Sequence, residues 1–356
     1  MALKVETVML SPETDQYAGK GQETMTIAGI AAAARRVEAL GYDGGTFPEA
    51  GHDPYLPVTI AAEHTSRITL GTNVAIAFPR SPMVTAQIAW DLQQLSGGRF
   101  QLGLGTQVKG HNERRYAAPW TGAPGPRLRE YVLCLRAMFA TFQDGARPTY
   151  FEGEHYRFTM MSPFFNPGPI AHAHVPIYLA AVNVYMARLI GELCDGVRLH
   201  PISTFRRTRE VLLPAIEAGT RKAGRTRADV DVVGAPFLAL GKDEEAVAKA
   251  RLAAKQRIAF YASTRTYHGV LEFHGWRDLG MRLHALSVEG KWQELPALIS
   301  DDMLEEFAIV GTYDELVPKL KERAAGVYDT VLLDLPPELR ADDDRVRDIV
   351  RGIKEG

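Results

Sequence analysis

Three titratable side chains sit where a proton could be moved. Glu49 and His52 lie in the segment Phe47-Pro48-Glu49-Ala50-Gly51-His52-Asp53-Pro54, and His111 lies in Thr106-Gln107-Val108-Lys109-Gly110-His111-Asn112. Carboxylates and imidazoles are the usual carriers of a proton near neutral pH. The same residue types also fix loops and cap helices, and both uses stay open for each of the three. Residues 106–136 hold six Lys or Arg against two acidic residues, a balance that suits an anionic ligand or a solvated basic face. Several other chemistries are disfavoured. Gly103-Leu104-Gly105 continues only at Gly110, which is not the dinucleotide fingerprint, and His111 follows where a phosphate-binding loop needs Lys. There is no Gly-x-Ser-x-Gly elbow and no His-Glu-x-x-His pair. His172 and His174 stand two apart with no third ligand at metal-site spacing, so packing or solvation is expected for them and no metal site is.

The elements that must position these groups follow from length and periodicity. The chain has 356 residues, 46% apolar, and a formal net charge of -2. That is enough for a large core and gives no field favouring nucleic acid or an anionic membrane. With no charged-then-apolar leader and no apolar run near bilayer length, a cytoplasmic protein without a membrane span is expected. Cys134 and Cys194, the only cysteines, are expected as buried thiols rather than a disulfide. Short apolar runs at 4–9, 44–47, 69–76, 100–105, 177–180, 196–199, 231–240 and 330–333 read as eight strands. Amphipathic helices read at 27–40, 57–66, 84–95, 127–142, 185–193, 208–223, 244–261, 313–325 and 345–353. Residues 144–174 break the rhythm as a hairpin excursion with a long loop, and 262–307 as a partly helical insertion. Eight strands each followed by a helix predict an α/β fold, a (β/α)8 barrel formed as one domain over residues 1–356. An open doubly wound sheet is the alternative. In a barrel the chemistry sits on the loops after the strands, where Glu49, His52 and His111 fall.

Those loops carry a resemblance. Gly71-Thr72-Asn73-Val74, Arg80-Ser81-Pro82, Leu95-Ser96-Gly97-Gly98-Arg99-Phe100 and Gly103-Leu104-Gly105-Thr106 occur in order. Gly153-Glu154-His155-Tyr156, Ile177-Tyr178-Leu179-Ala180-Ala181, Gly191-Glu192-Leu193-Cys194-Asp195-Gly196-Val197 and Val310-Gly311-Thr312 follow. Together, over roughly residues 5–340, they resemble the luciferase-like monooxygenase superfamily. Pro163-Phe164-Phe165 and Gln107-Val108-Lys109 resemble its branch that uses the deazaflavin coenzyme F420.

The resemblance implies a flavin-type cofactor in the barrel mouth, F420 or alternatively FMN, and a small organic substrate. It implies a non-proline cis peptide near Asn73-Val74 against the cofactor ring. The cofactor-binding set it implies is Phe47, Asn73, Val74, Ala75, Thr106, Gln107, Lys109, Arg115, Ala181, Val182, Asn183 and His200. Within that set Val182 and Asn183 open a helix whose free N–H groups could take a phosphate, and Asn183 could equally be a plain N-cap. The family often has Gly there, and this chain has Val-Asn. Lys109, Arg114 and Arg115 are expected to meet the coenzyme's acidic tail. Relatives that oxidise a sugar phosphate use an Asp-His pair after strand 2 and a Glu after strand 4. Glu49-Ala50 and Val108 stand there instead, which argues against that substrate. Tyr267, His268, Phe273, His274 and Trp276 are expected on a lid. The expected reaction is hydride transfer at the deazaflavin C5. An FMN-dependent monooxygenase and a non-catalytic flavin or deazaflavin-binding protein are the alternatives, and the resemblance allows a homodimer.

Overall fold

The computed structural model describes residues 2–9 and 27–355. Its strands are β1 (Lys4–Val8), β2 (Gly44–Phe47), β3 (Thr69–Thr72), β4 (Ala75–Ile76), β5 (Phe100–Gly105), β6 (Phe151–Glu152), β7 (Arg157–Phe158), β8 (Ile177–Ala181), β9 (Gly196–Leu199), β10 (Asp231–Gly234), β11 (Phe237–Gly241), β12 (Ala308–Thr312) and β13 (Thr330–Leu332). The main sheet runs β3-β2-β1-β13-β10-β9-β8-β5-β4, and β3 also pairs with β5. With β3 and β4 counted as one broken stave, the order contains eight staves and returns on itself. This is the (β/α)8 fold, and the open-sheet alternative falls. No helix among the described residues is long and apolar enough to cross a membrane.

The chain divides into two compact units. The first comprises Glu6–Ala180 and Leu189–Val197. Within it β1, β2, β3 and β5 pair in parallel register, Val8 beside Thr46, Phe47 beside Thr72 and Leu70 beside Phe100. The helix Pro82–Leu95 starts where Ser81 accepts the Val84 N–H and Pro82 fills the first turn, the position where Pro's missing donor costs nothing. It stops at Gly97 and Gly98, both at positive φ, a conformation cheap only for glycine. The helix Pro124–Gln143 buries Leu128, Tyr131, Leu135, Met138 and Phe142. Trp90 stacks on Phe139 and meets Phe142 edge-on. The expected excursion is the antiparallel hairpin β6–β7.

The second unit comprises Met1–Val5, Ala181–Arg188 and Arg198–Gly356. Two expectations need correction here. The run 231–240 is two strands, broken at Pro236, which cannot donate to a ladder. Of these, β11 leaves the main sheet and pairs in parallel with β12, a strand outside the eight that were expected. The insertion 262–307, expected as a lid, packs against the core of this unit. Val270, Leu271, Leu283, Leu295, Ile299, Leu304 and Phe307 are buried in one cluster with Phe237, Ala239, Ile258 and Ala262. It is a packed layer on the helix Glu244–Ala262, so removing it would uncover core. Cys134 and Cys194 are buried and form no disulfide.

Candidate active site

In the first unit the stave after β3 is locally rebuilt. The peptide bond Asn73–Val74 is cis, at the position the resemblance implied. The ladder between β3 and β5 ends at Gly71–Gln101, and β4 resumes it with Ala75 beside Leu104 and Ile76 beside Gly105. Across the gap the buried Thr72 hydroxyl donates to the Gly103 carbonyl at 2.6 Å and accepts the Gly103 N–H at 2.9 Å. The Asn73 N–H reaches the carbonyl of the fully buried Phe47 at 2.8 Å. Gly105 closes the other side. A Cβ there would stand 2.7 Å from Val74 Cγ2, so the absence of a side chain admits Val74.

Glu49 holds the break from the β2 loop. Its Oε2 accepts the Ile76 N–H and Arg80 Nη1, each at 2.7 Å, and its side chain is 5% exposed. Arg80 Nη2 reaches Asp53 at 2.7 Å, and Asp53 Oδ1 accepts the Tyr55 N–H. Burial alone would lower the Arg80 pKa, but the Glu49 and Asp53 carboxylates hold it above its ordinary value. Burial, then the Glu49 charge, pushes the Tyr116 phenol up to about 12. Arg115 donates to the Ala50 carbonyl and lies over the Tyr116 ring. The β2, β3 and β5 loops therefore meet, bringing Phe47, Glu49, Asn73, Val74, Ala75 and Arg115 into one region.

The remaining residues of this unit fall around it. His52 and His111 are exposed, with no side-chain hydrogen bond or ion pair among the described residues. Gln107 takes a positive φ, and its side chain accepts the Val108 N–H. The Thr106 carbonyl accepts from buried Asn112, on the short helix Lys109–Arg114 that sequence reading missed. Lys109 is exposed and 3.9 Å from Glu113. Much of the basic run is structural. Arg127 binds Tyr156 and the Pro119 carbonyl, while Arg129 and Arg136 pair with Glu192 and Asp195. His174 also binds Asp195, and His172 packs on Gly98. Glu130, Glu154 and His155 bring three potential ligand atoms together, but Glu130 already accepts the N–H groups of Glu154, His155 and Tyr156.

The second unit holds the rest. Ala181 is buried at the end of β8, and Asn183 accepts the Met186 N–H as a side-chain N-cap. Val182 is half-buried. His200 follows β9 with its ring stacked on Tyr267 at 4.7 Å and edge-on to Tyr261 at 4.6 Å. Burial lowers its pKa to about 4. Its Nδ1 accepts the Ile202 N–H at 3.2 Å, which leaves the proton of the neutral ring on Nε2. Because this folded-state pKa lies below the unfolded value, His200 opposes folding increasingly as pH falls through 6.5 toward 4. Imidazole NMR is expected to show no protonation of His200 above about pH 5; a midpoint near 6.5 would contradict its burial.

Arg80, Asp53, Tyr116 and Thr72 were not singled out as site residues by sequence. Arg80 lies 31 residues from Glu49, and no local pattern announces such a pair.

A family comparison and relatives give the class. The chain belongs to the luciferase-like monooxygenase family, whose profile matches residues 7–330. It is 45% identical over 306 residues to an uncharacterized protein of Mycobacterium tuberculosis, covering 86% of this chain and 89% of that one. It is 32% identical over 283 residues to the 5,10-methylenetetrahydromethanopterin reductase of Archaeoglobus fulgidus, covering 78% and 80%. Among solved structures, the coenzyme F420 dependent tetrahydromethanopterin reductase of Methanopyrus kandleri superposes with a TM-score of 0.75 at 22% identity, covering 99% and 97%. The EDTA monooxygenase of Chelativorans sp. BNC1 superposes at 0.72 and 16% identity, covering 99% and 94%. The family's members are oxidoreductases and monooxygenases acting on small molecules.

Proposed function

We propose that this chain is an oxidoreductase that uses coenzyme F420 to exchange a hydride with a small organic substrate. The observation that carries this reading is its 32% identity to a methylenetetrahydromethanopterin reductase over 78% of the chain, together with the F420 dependence stated for a solved reductase of the same fold. The first unit's residues fit a flat ring. Glycine at 105 admits Val74, buried Ala75 and Ala77 line the β4 segment, and Glu49 fixes Ile76.

When bound, the deazaflavin supplies the carbon that gives or takes the hydride. The protein holds the ring at a fixed distance from the substrate and excludes water. Phe47, Asn73, Val74 and Ala75 would back the ring, and Thr106, Gln107, Lys109 and Arg115 would meet the charged part of the coenzyme. The roles of Ala181, Val182, Asn183 and His200 rest on the resemblance alone. Glu49 is engaged by Arg80 and the Ile76 N–H, so we assign it a positioning role. His52 and His111 are the proposed proton carriers.

A second reading, FMN-dependent oxygenation, is supported by the fold shared with EDTA monooxygenase. An anaerobic assay with reduced F420 and a panel of unsaturated and carbonyl substrates separates the two. Coenzyme reoxidation without oxygen supports hydride transfer. Substrate-dependent oxygen uptake with reduced FMN, and no anaerobic reaction, would move the protein to the oxygenase reading.

A further inference from the structure

The turn after β9 in the second unit contains a cation without a counter-ion. Arg207 is 5% exposed, and among the described residues its guanidinium has no hydrogen bond or ion pair; Nη1 is fully buried and unpartnered. Four residues earlier Ser203 is 4% exposed, and its hydroxyl is also buried without a partner. The segment is rigidly placed. The Ser203 N–H donates to the His200 carbonyl at 2.8 Å, and Thr204 accepts the Arg207 N–H while bonding His274 Nε2 at 2.8 Å.

The carboxylates of this neighbourhood, Glu210 and Glu306, lie 3.9 and 4.0 Å from Arg206. Nothing raises the pKa of Arg207, which burial lowers. Its unscreened charge is felt nearby. Burial first, then Arg206 and Arg207, brings His274 down to about 4. His274 supplies no negative charge in either protonation state, so it does not offset Arg207. A buried arginine normally faces a carboxylate or phosphate, because an isolated buried charge is costly and its planar fork matches two oxygens.

We propose that Ser203 and Arg207 form a binding site for an oxyanion, a carboxylate or phosphate carried by a small-molecule ligand. The guanidinium of Arg207 donates to two oxygens and the Ser203 hydroxyl to one of them, at the C-terminal end of a barrel stave where ligands of this fold are bound. The site stands independently of which flavin-type cofactor the chain uses. If the oxidoreductase reading also holds, its substrate carries an anionic group.

Thermal unfolding of the full chain without added cofactor tests this. The melting temperature is measured in chloride and then, at equal ionic strength, in inorganic phosphate or in acetate, for wild type, Arg207→Met and Ser203→Ala. Wild type is expected to gain stability with at least one oxyanion over chloride. Arg207→Met should lose that gain and, in chloride, melt no lower than wild type, because an uncompensated buried charge has been removed. Ser203→Ala should weaken the apparent affinity by about ten- to hundred-fold, the loss of one hydrogen bond to a charged group. A response to phosphate alone assigns a phosphorylated ligand, and a response to acetate alone a carboxylated one. No specific response in wild type, or an equal response in Arg207→Met, overturns the site. If Arg207→Met fails to fold, Arg207 is structural and the proposal falls with it. Because no coenzyme is present, failure here leaves the F420 reading intact, and failure of that reading leaves this site intact.

Discussion

Replacing Arg80 with Met is expected to destabilise the protein by about 3–5 kcal/mol, the cost of stranding a buried carboxylate. Glu49 is 5% exposed, and the substitution removes its ionic partner among the described residues while leaving the Ile76 N–H in place. The Asp53 end of the network is 40% exposed and should contribute little, because water competes there. The double variant Arg80→Met/Glu49→Gln should recover much of the loss, since the stranded charge is then gone. Chemical denaturation of the two single variants and the double variant gives the coupling. A loss under about 1 kcal/mol for Arg80→Met would show that Glu49 does not depend on it. Under the proposed placement of F420, its affinity should fall in parallel, because Glu49 fixes the Ile76 N–H.

The second large effect is expected at Thr72. Valine has the same shape but no hydroxyl. Thr72→Val leaves the Gly103 N–H and carbonyl without the partner that replaces the interrupted ladder. Each buried backbone group so orphaned costs about 1–3 kcal/mol, so a loss of about 2–6 kcal/mol is expected. Thr72→Ser keeps the hydroxyl and should retain most of the stability. Equal stability of the valine and serine variants would mean that the gap between β3 and β4 is held by packing alone.

The barrel was legible because parallel strands are buried on both faces and read as short apolar runs, with a helix after each. The exceptions have local causes. Residues 69–76 are continuously apolar or small, so periodicity merges β3 and β4. Only the motif resemblance placed the break, at the peptide bond where it occurs. The run 231–240 was read through Pro236 as one strand, and nothing local shows that β11 pairs with β12, some seventy residues later in the chain. The insertion was read for its aromatic residues, which suggested a lid. Its Leu, Ile and Val residues are buried in one cluster with the helix Glu244–Ala262, packing that the aromatic pattern did not announce.

The site was legible in its loops but not in its contacts. Glu49 was visible as a carboxylate after β2, and its engagement by Arg80 was not, since that pairing spans the βα unit. His200 was visible as a histidine after β9. Its low pKa comes from burial, and its ring neighbours Tyr261 and Tyr267 lie on and just after the helix Glu244–Ala262, far along the chain. The orphaned Arg207 sits in a basic triplet with Arg206 and Arg209, where a solvated face is the ordinary expectation. Only three-dimensional packing distinguishes it.

The proposed use of F420 is tested most directly by titrating the purified protein with F420 and, separately, with FMN, following each by its own absorbance or fluorescence. Micromolar or tighter binding of F420 is expected, with FMN bound at least about ten-fold more weakly, a difference of about 1.4 kcal/mol. The opposite preference would contradict the F420 reading and place the chain with the FMN-dependent oxygenases of its family.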